Sequence, residues 1–278
     1  MQSNFSEYSH YIPYQPAFEK NINYHNFVIP NTHPLFGVVS DFYQFDSINK
    51  LDKKISVIPD GCIDFLFIYT KAGVIKTLEG FYREKIIVPL DIEGCAFGVR
   101  FFPGALTNIL RIHTADLIGK RIPLMDLLKE DYELDKMDEA KDFNKRIELM
   151  TNYLLKKSKK VYTSTEIVNY CTKKIIFSEG NVSISDLARD TSYTIRYLRE
   201  LFHKHVGISP KELCEIIKFQ NSFFNLSKFN KDNTDLSLSN FAIQSGYYDQ
   251  SHMNKSYKKL AGCLPKNLYI EMFPAENY

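Results

Sequence analysis

The sequence predicts two domains: a β-rich α+β N-terminal half, built as a sheet or barrel with added helices, and an all-α C-terminal half. Three observations carry this expectation. Between residues 35 and 104, short runs rich in Val, Ile, Phe and Tyr alternate with turn residues, as strands do. From about Asp135 the apolar residues recur every three or four positions, which is the period of one helix face. Two segments in the last hundred residues then repeat one another. A chain of 278 residues is long enough for two ordinary domains.

Residues 1–34 are polar and aromatic with four prolines and read as irregular, extended chain. The strand candidates follow: LFGVVSDFYQF, KISVIPDGCIDFLFIYT, GVIKTLEGFY, KIIVPLD and CAFGVRFF. PDG at 59–61 and AG at 72–73 are turns. PGALTNILRI reads as a short helix with Pro103 in its first turn. A linker helix is expected near 135–158, with Ala140, Phe143, Ile147, Met150 and Leu154 on one stripe and KKSKK at its end. This places an N-terminal domain at 1–160, a helical domain at 161–278, and the boundary near 156–164. The stripe could pack on its own domain or on a second copy of the chain.

Composition bounds the function. The chain is 44% hydrophobic and 24% charged with a formal net charge of +2. That is ordinary globular composition, and it leaves any nucleic-acid contact to local rather than global charge. The five cysteines, Cys62, Cys95, Cys171, Cys214 and Cys263, form no CxxC or CxxH pair, which argues against a zinc ribbon and fits reduced thiols in a cytoplasmic protein. Neither a signal peptide nor a bilayer-length apolar run is present, so no membrane partner is expected. No cofactor is implied.

The repeat carries the functional argument. SISDLARDTSYTIRYLRELFHKHVGISPKEL at 183–213 aligns with SLSNFAIQSGYYDQSHMNKSYKKLAGCLPKNL at 237–268. Ser183/Ser237, Leu187/Phe241, Ala188/Ala242 and Tyr193/Tyr247 keep one offset. After one inserted residue, Leu198/Met253, Phe202/Tyr257, Gly207/Gly262 and Pro210/Pro265 keep the next. In each copy a Ser caps a short helix, a turn follows, and a second helix ends at a glycine with a proline three residues later. Helix, turn, helix is an arrangement whose second helix enters the DNA major groove. A connecting helix, SPKELCEIIKFQNSFFNLSKF, would hold the two units on one frame, and TSTEIVNYCTKKIIFSEGN would pack across the first.

Gln250, Ser251, His252, Asn254 and Lys255 then form the outward face of the second unit. Thr194, Arg196, Tyr197, Arg199, Glu200 and His203 form that of the first. Such side chains can bond base edges, with Glu200 accepting from cytosine or pairing with a neighbouring Arg. Lys204, Lys255 and Lys258 suit phosphates. A surface for protein contacts is the alternative use of the same faces.

The last hundred or so residues resemble the DNA-binding domain of AraC/XylS-type transcriptional regulators. The marks are SISDLA, the helix pair, the connecting helix and FAIQSGYYDQSHMNKSYKKLAGCLPKNL. Met253 and Tyr257 stand where that family usually has Phe. The resemblance implies a sequence-specific regulator, by family tendency an activator, with the base-reading positions falling on Arg196, Arg199 and Glu200 and on Gln250, Ser251, His252, Asn254 and Lys255. VIPDGCIDFLFIY with GCAFGVRFFPGALTNIL resembles an uncharacterised N-terminal domain attached to some of these regulators, where small-molecule sensing is expected. Double-stranded DNA is the implied partner, with a small-molecule effector, RNA polymerase and a second copy of the chain as further candidates.

In the N-terminal half Tyr69, Tyr82 and Arg100 are the candidate ligand residues. Arg100 lies between apolar residues, and if turned inward it must be paired or hold an anionic ligand. Asp60 reads as a cap of the PDGC turn. A metal-dependent or other enzyme domain with accessory helices is the competing function. The first 160 residues hold no HxH pair, and the sequence has no GxGxxG, GxxxxGKS, GxSxG or HExxH, so a non-enzymatic regulator is the favoured reading.

Overall fold

A computed structural model describes residues 11–21, 23–46, 54–89, 94–110, 112–128, 131–157, 163–229 and 237–273. The expected domain boundary falls mainly on 158–162, outside the described residues.

The N-terminal half begins with α1 (Pro16–Asn21) and β1 (Tyr24–Val28), where irregular chain was expected. It continues through β2 (Val39–Asp46), β3 (Lys54–Val57), β4 (Ile63–Thr70), β5 (Gly73–Glu79), β6 (Ile86–Pro89), β7 (Cys95–Phe101) and β8 (Arg121–Pro123). Six strands form an antiparallel sheet in the order β1-β2-β7-β4-β5-β8, and β3 pairs with β6 in a second, two-stranded sheet. The central strands are buried along most of their length, so both faces are covered.

Strand parity sorts the residues between the faces. One face carries Phe42, Phe65, Phe67, Phe97, Val99 and Phe101 in cross-strand register. It packs under α3 (Phe143–Lys157), with the Phe97 and Phe143 rings 6.0 Å apart. Met150 and Leu154 of the α3 stripe are buried against this domain. The other face carries Asp41, Tyr43, Asp64, Gly98 and Arg100 and is covered by α1, where Phe18 meets Phe45 at 5.5 Å.

Two expected helices are corrected. The helix at 103–112 is a 3₁₀ turn over Ala105–Asn108, because Gly104 before it takes φ 82°. The linker helix starts at Phe143 rather than Asp135. Asp142 caps it, accepting from the Lys145 N–H at 2.9 Å, and 132–137 form a separate 3₁₀ segment. Short α2 (Leu124–Leu127) follows β8.

The C-terminal half is all-α: α4 (Thr163–Phe177), α5 (Ile184–Thr191), α6 (Ile195–His205), α7 (Pro210–Phe229), α8 (Leu238–Gln244), α9 (Gln250–Ala261) and α10 (Pro265–Met272). α4 lies between the N-terminal half and the α6–α7 pair. One apolar core runs through both halves. None of the described helices is long and apolar enough to cross a membrane.

Candidate nucleic-acid interface

Each repeat folds for the same local reasons. Ser183 Oγ accepts from the Asp186 N–H at 3.0 Å, and Ser237 Oγ accepts from the Asn240 N–H at 3.3 Å, capping α5 and α8. Both helices end in a chain reversal: the Tyr193 N–H donates to the Ala188 carbonyl and the Tyr247 N–H to the Ala242 carbonyl. The left-handed residue in the reversal is Ser192 (φ 60°) in the first copy and Gly246 (φ 78°) in the second. A β-carbon on Gly246 would also stand 2.1 Å from the Asn181 amide oxygen.

The second helices are capped in turn. Thr194 Oγ1 accepts from the Tyr197 N–H at 3.2 Å, and Asp249 Oδ1 accepts from the His252 N–H at 2.7 Å. Leu198 and Phe202, or Met253 and Tyr257, are fully buried. Tyr257 does more than fill a Phe position: its ring meets Phe219 edge-on at 4.9 Å and its hydroxyl bonds Ser222 at 2.9 Å. α7 thereby supports the second unit while Leu213 and Ile217 are buried in the shared core.

The outward faces of α6 and α9 stay uncovered. Arg196, Tyr197, Arg199, Glu200, His203 and Lys204 are exposed, as are Ser251, His252, Lys255 and Lys258, while Gln250 and Asn254 are half-buried. Several are oriented. Arg196 Nε meets Glu200 at 3.2 Å, so Glu200 pairs with its neighbour. Gln250 Oε1 accepts from Ser239 Oγ at 2.9 Å, and His252 Nδ1 accepts from the Tyr248 N–H at 3.3 Å. Thr194 and Asp249 sit at the same faces as caps. His205, unlike the exposed His203 and His252, is buried. Burial holds its pKa below the usual histidine value, helped by Lys204 and His113.

The model of a helix-turn-helix domain matches residues 187–269. The C-terminal half of the chain is a helix-turn-helix domain of the AraC type. The chain is therefore a DNA-binding transcriptional regulator. Residues 28–123 match a domain of unknown function (DUF6597), which is the large sheet ahead of the helix-turn-helix domain. No curated protein matches the chain. Among solved structures it is similar to ToxT from Vibrio cholerae. An apo ToxT variant is 12% identical with a TM-score of 0.38, over 83% of this chain and 97% of that one. A ToxT structure with a bound unsaturated fatty acid is 15% identical with a TM-score of 0.35, over 90% and 94%. These likenesses are remote, and the assignment rests on the match to the helix-turn-helix domain.

The three candidate ligand residues do not converge. Tyr82 and Arg100 line one cavity with Tyr43, Asp60 and Asp64. Tyr69 is on the opposite face, five positions from Asp64 along β4. There its hydroxyl donates to the Met137 carbonyl at 2.9 Å, and Arg146 covers its ring at 3.8 Å. Arg100 is buried and contacts Asp64 twice at 3.3 Å, with Asp41 and Asp60 each 3.9 Å away. Three carboxylates around one guanidinium make this cluster unfavourable for an anion. Asp60 also caps its turn, accepting from the Cys62 N–H at 2.9 Å. Cys62 and Cys95 sit at opposite ends of the β4–β7 pair.

Sequence reasoning missed a cleft between the two halves. Tyr11, Phe36, Phe102, Ile176 and Phe177 line it, together with Ser40 and Thr172. Ser40 Oγ and Thr172 Oγ1 are buried without a formed hydrogen bond, although the Ser40 hydroxyl is close enough to stabilise the Asp41 carboxylate. Buried hydroxyls of this kind usually have a partner. The missing signal was tertiary, since 40 and 172 come from different domains.

Proposed function

We propose that α6 and α9 enter successive major-groove segments of one duplex, with Arg196, Arg199, Gln250, Ser251, His252 and Asn254 toward base edges. Lys204, Lys255 and Lys258 lie toward phosphates. The observation that carries this reading is the sidedness of both helices: their inner faces are fully buried, while their polar faces stay open with the N-terminal domain docked. Fluorescence anisotropy on duplexes selected from a random pool tests it. Arg196→Ala should reduce discrimination at particular base pairs by about 1–3 kcal/mol. Lys258→Ala should weaken all duplexes alike and lower the salt slope by about 1. Unchanged affinity in both variants would remove the assigned surface.

The cleft between the halves supports a second element of the reading, that a small effector binds there and biases how the halves dock. Its walls come from both, so a ligand in it has different contacts in the docked and undocked states, which any ligand-driven shift requires. The same anisotropy assay, repeated with compounds recovered from the purified protein, tests this element.

A further inference from the structure

Tyr248 is 88% exposed, more than any other large hydrophobic side chain among the described residues. The repeat explains how it came to be outside. In the first copy the residue that closes the chain reversal, Tyr193, is followed directly by the helix cap Thr194. In the second, Tyr247 closes the reversal and the cap is Asp249. Tyr248 is therefore the one residue by which the second copy is longer.

The surrounding turn is fixed. The Tyr247 ring is buried and meets His252 edge-on at 5.5 Å. The Gly246 carbonyl accepts from Lys218 Nζ at 2.6 Å, and the Tyr248 N–H donates to His252. Backbone order continues through the insertion while the ring stays in water, where it contributes little to folding. Tyr248 stands directly before the cap of α9, and its backbone N–H bonds His252 on the exposed face of that helix.

We propose that Tyr248 is a specificity-determining residue that packs on the C5-methyl group of a thymine at the edge of the segment met by α9. The proposal rests on the assignment of α9 to the major groove. The thymine methyl is the apolar group that the major groove presents, and a rigid aromatic ring covers it at small entropic cost. The positive charge farther along α9, on the exposed Lys255 and Lys258, suits a duplex rather than an apolar protein partner. The first copy has no counterpart of Tyr248, but it too shows apolar surface at the start of its second helix: Ile195 and Tyr197 are 37% and 38% exposed, and the Tyr193 and Tyr197 rings lie 4.9 Å apart at 34°.

The test uses the full chain and a duplex it selects from a random pool. Each thymine in the α9 segment is replaced singly by deoxyuridine, which removes only the methyl group. At one position this should weaken the wild type by roughly five- to tenfold. Tyr248→Ala should lose the same factor on the parent duplex and no longer respond to that replacement, whereas Tyr248→Phe should behave as wild type. Wild-type affinity in Tyr248→Ala, or an undiminished response to deoxyuridine, overturns the proposal. So does a uniform loss in Tyr248→Phe, which marks a phosphate contact through the hydroxyl. A wild-type chain that binds no duplex at all instead removes the assignment of α9.

Discussion

Arg100 and its carboxylates show how one buried charge organises a face of the sheet. Tyr43 and Gly98 are cross-strand partners, and a β-carbon on Gly98 would stand 2.0 Å from the Tyr43 ring. The glycine thus lets the ring lie flat, from where its hydroxyl donates to Asp64 at 2.6 Å and its face meets Arg100 at 4.9 Å. Asp41 is the member least well served. Burial pushes its carboxyl up to about 6, against the pull of Arg100, with Asp64 and Asp60 adding repulsion. A carboxyl whose folded pKa exceeds its unfolded value favours the fold below about 3.8 and loses that contribution as the pH rises through about 6. Asp41→Asn should therefore be neutral or stabilising by about 1–3 kcal/mol at pH 7, and the gain should shrink by pH 5. Urea denaturation at the two pH values measures it; a larger loss at pH 7 than at pH 5 contradicts the assignment. GVRFF left the direction of Arg100 open, and only the need to pair it if buried was legible. Its three partners were not, because they arrive from β2, β4 and the turn before β4.

At the scale of elements, the sheet strands and the helix pairs were legible because their periods differ and their turns are chemically marked. The linker helix was placed too early because charge-rich DKMDEAKD satisfies helical propensity, whereas the local competition is decided by the cap at Asp142. Helix packing in the C-terminal half depends on one position that the period could not reveal. Gly180 follows α4 with φ 78°, and a β-carbon there would stand 2.3 Å from the Cys214 carbonyl oxygen and 2.9 Å from the Lys218 nitrogen. Both obstacles are backbone of α7, so neither can rotate away. The close approach lets the loop after α4 reach Val182 and Ser183, which start the first unit. Gly180→Ala should destabilise the chain by about 2–4 kcal/mol and lower the melting temperature by several degrees. Gly262→Ala has open space around its β-carbon and carries only the φ penalty of about 1 kcal/mol, so calorimetry of the pair separates steric from conformational cost.

At the scale of the molecule, the two N-terminal motifs quoted for their resemblance turn out to face the helices. The Pro59 carbonyl accepts from Gln220 Nε2 at 2.7 Å, and Gly61 lies against Leu213. Gly104 lies against Val168 and Val206. Thr114 Oγ1 donates to the His205 carbonyl at 2.8 Å at the end of α6, and the Lys85 N–H donates to the Leu260 carbonyl at 2.7 Å near the end of α9. One domain thus grips the rear of both units while leaving their outward faces open, so docking can act on DNA binding through the spacing of α6 and α9 without covering them. Gln220 is the joint's central polar group: almost fully buried, it also accepts from the Tyr14 N–H at 2.8 Å. Gln220→Leu keeps the volume and strands a carbonyl and an N–H, each costing about 1–3 kcal/mol. The wild type should unfold in one transition, as a shared core requires, and the variant should either unfold in two or exchange amide hydrogens faster at 60–62 and along α7. Its DNA affinity should change while the single-residue discrimination of Arg196 is kept, because the reading face is intact and only the frame that spaces the two units has loosened. A variant that melts as wild type with unaltered hydrogen exchange would show that this joint does not couple the domains.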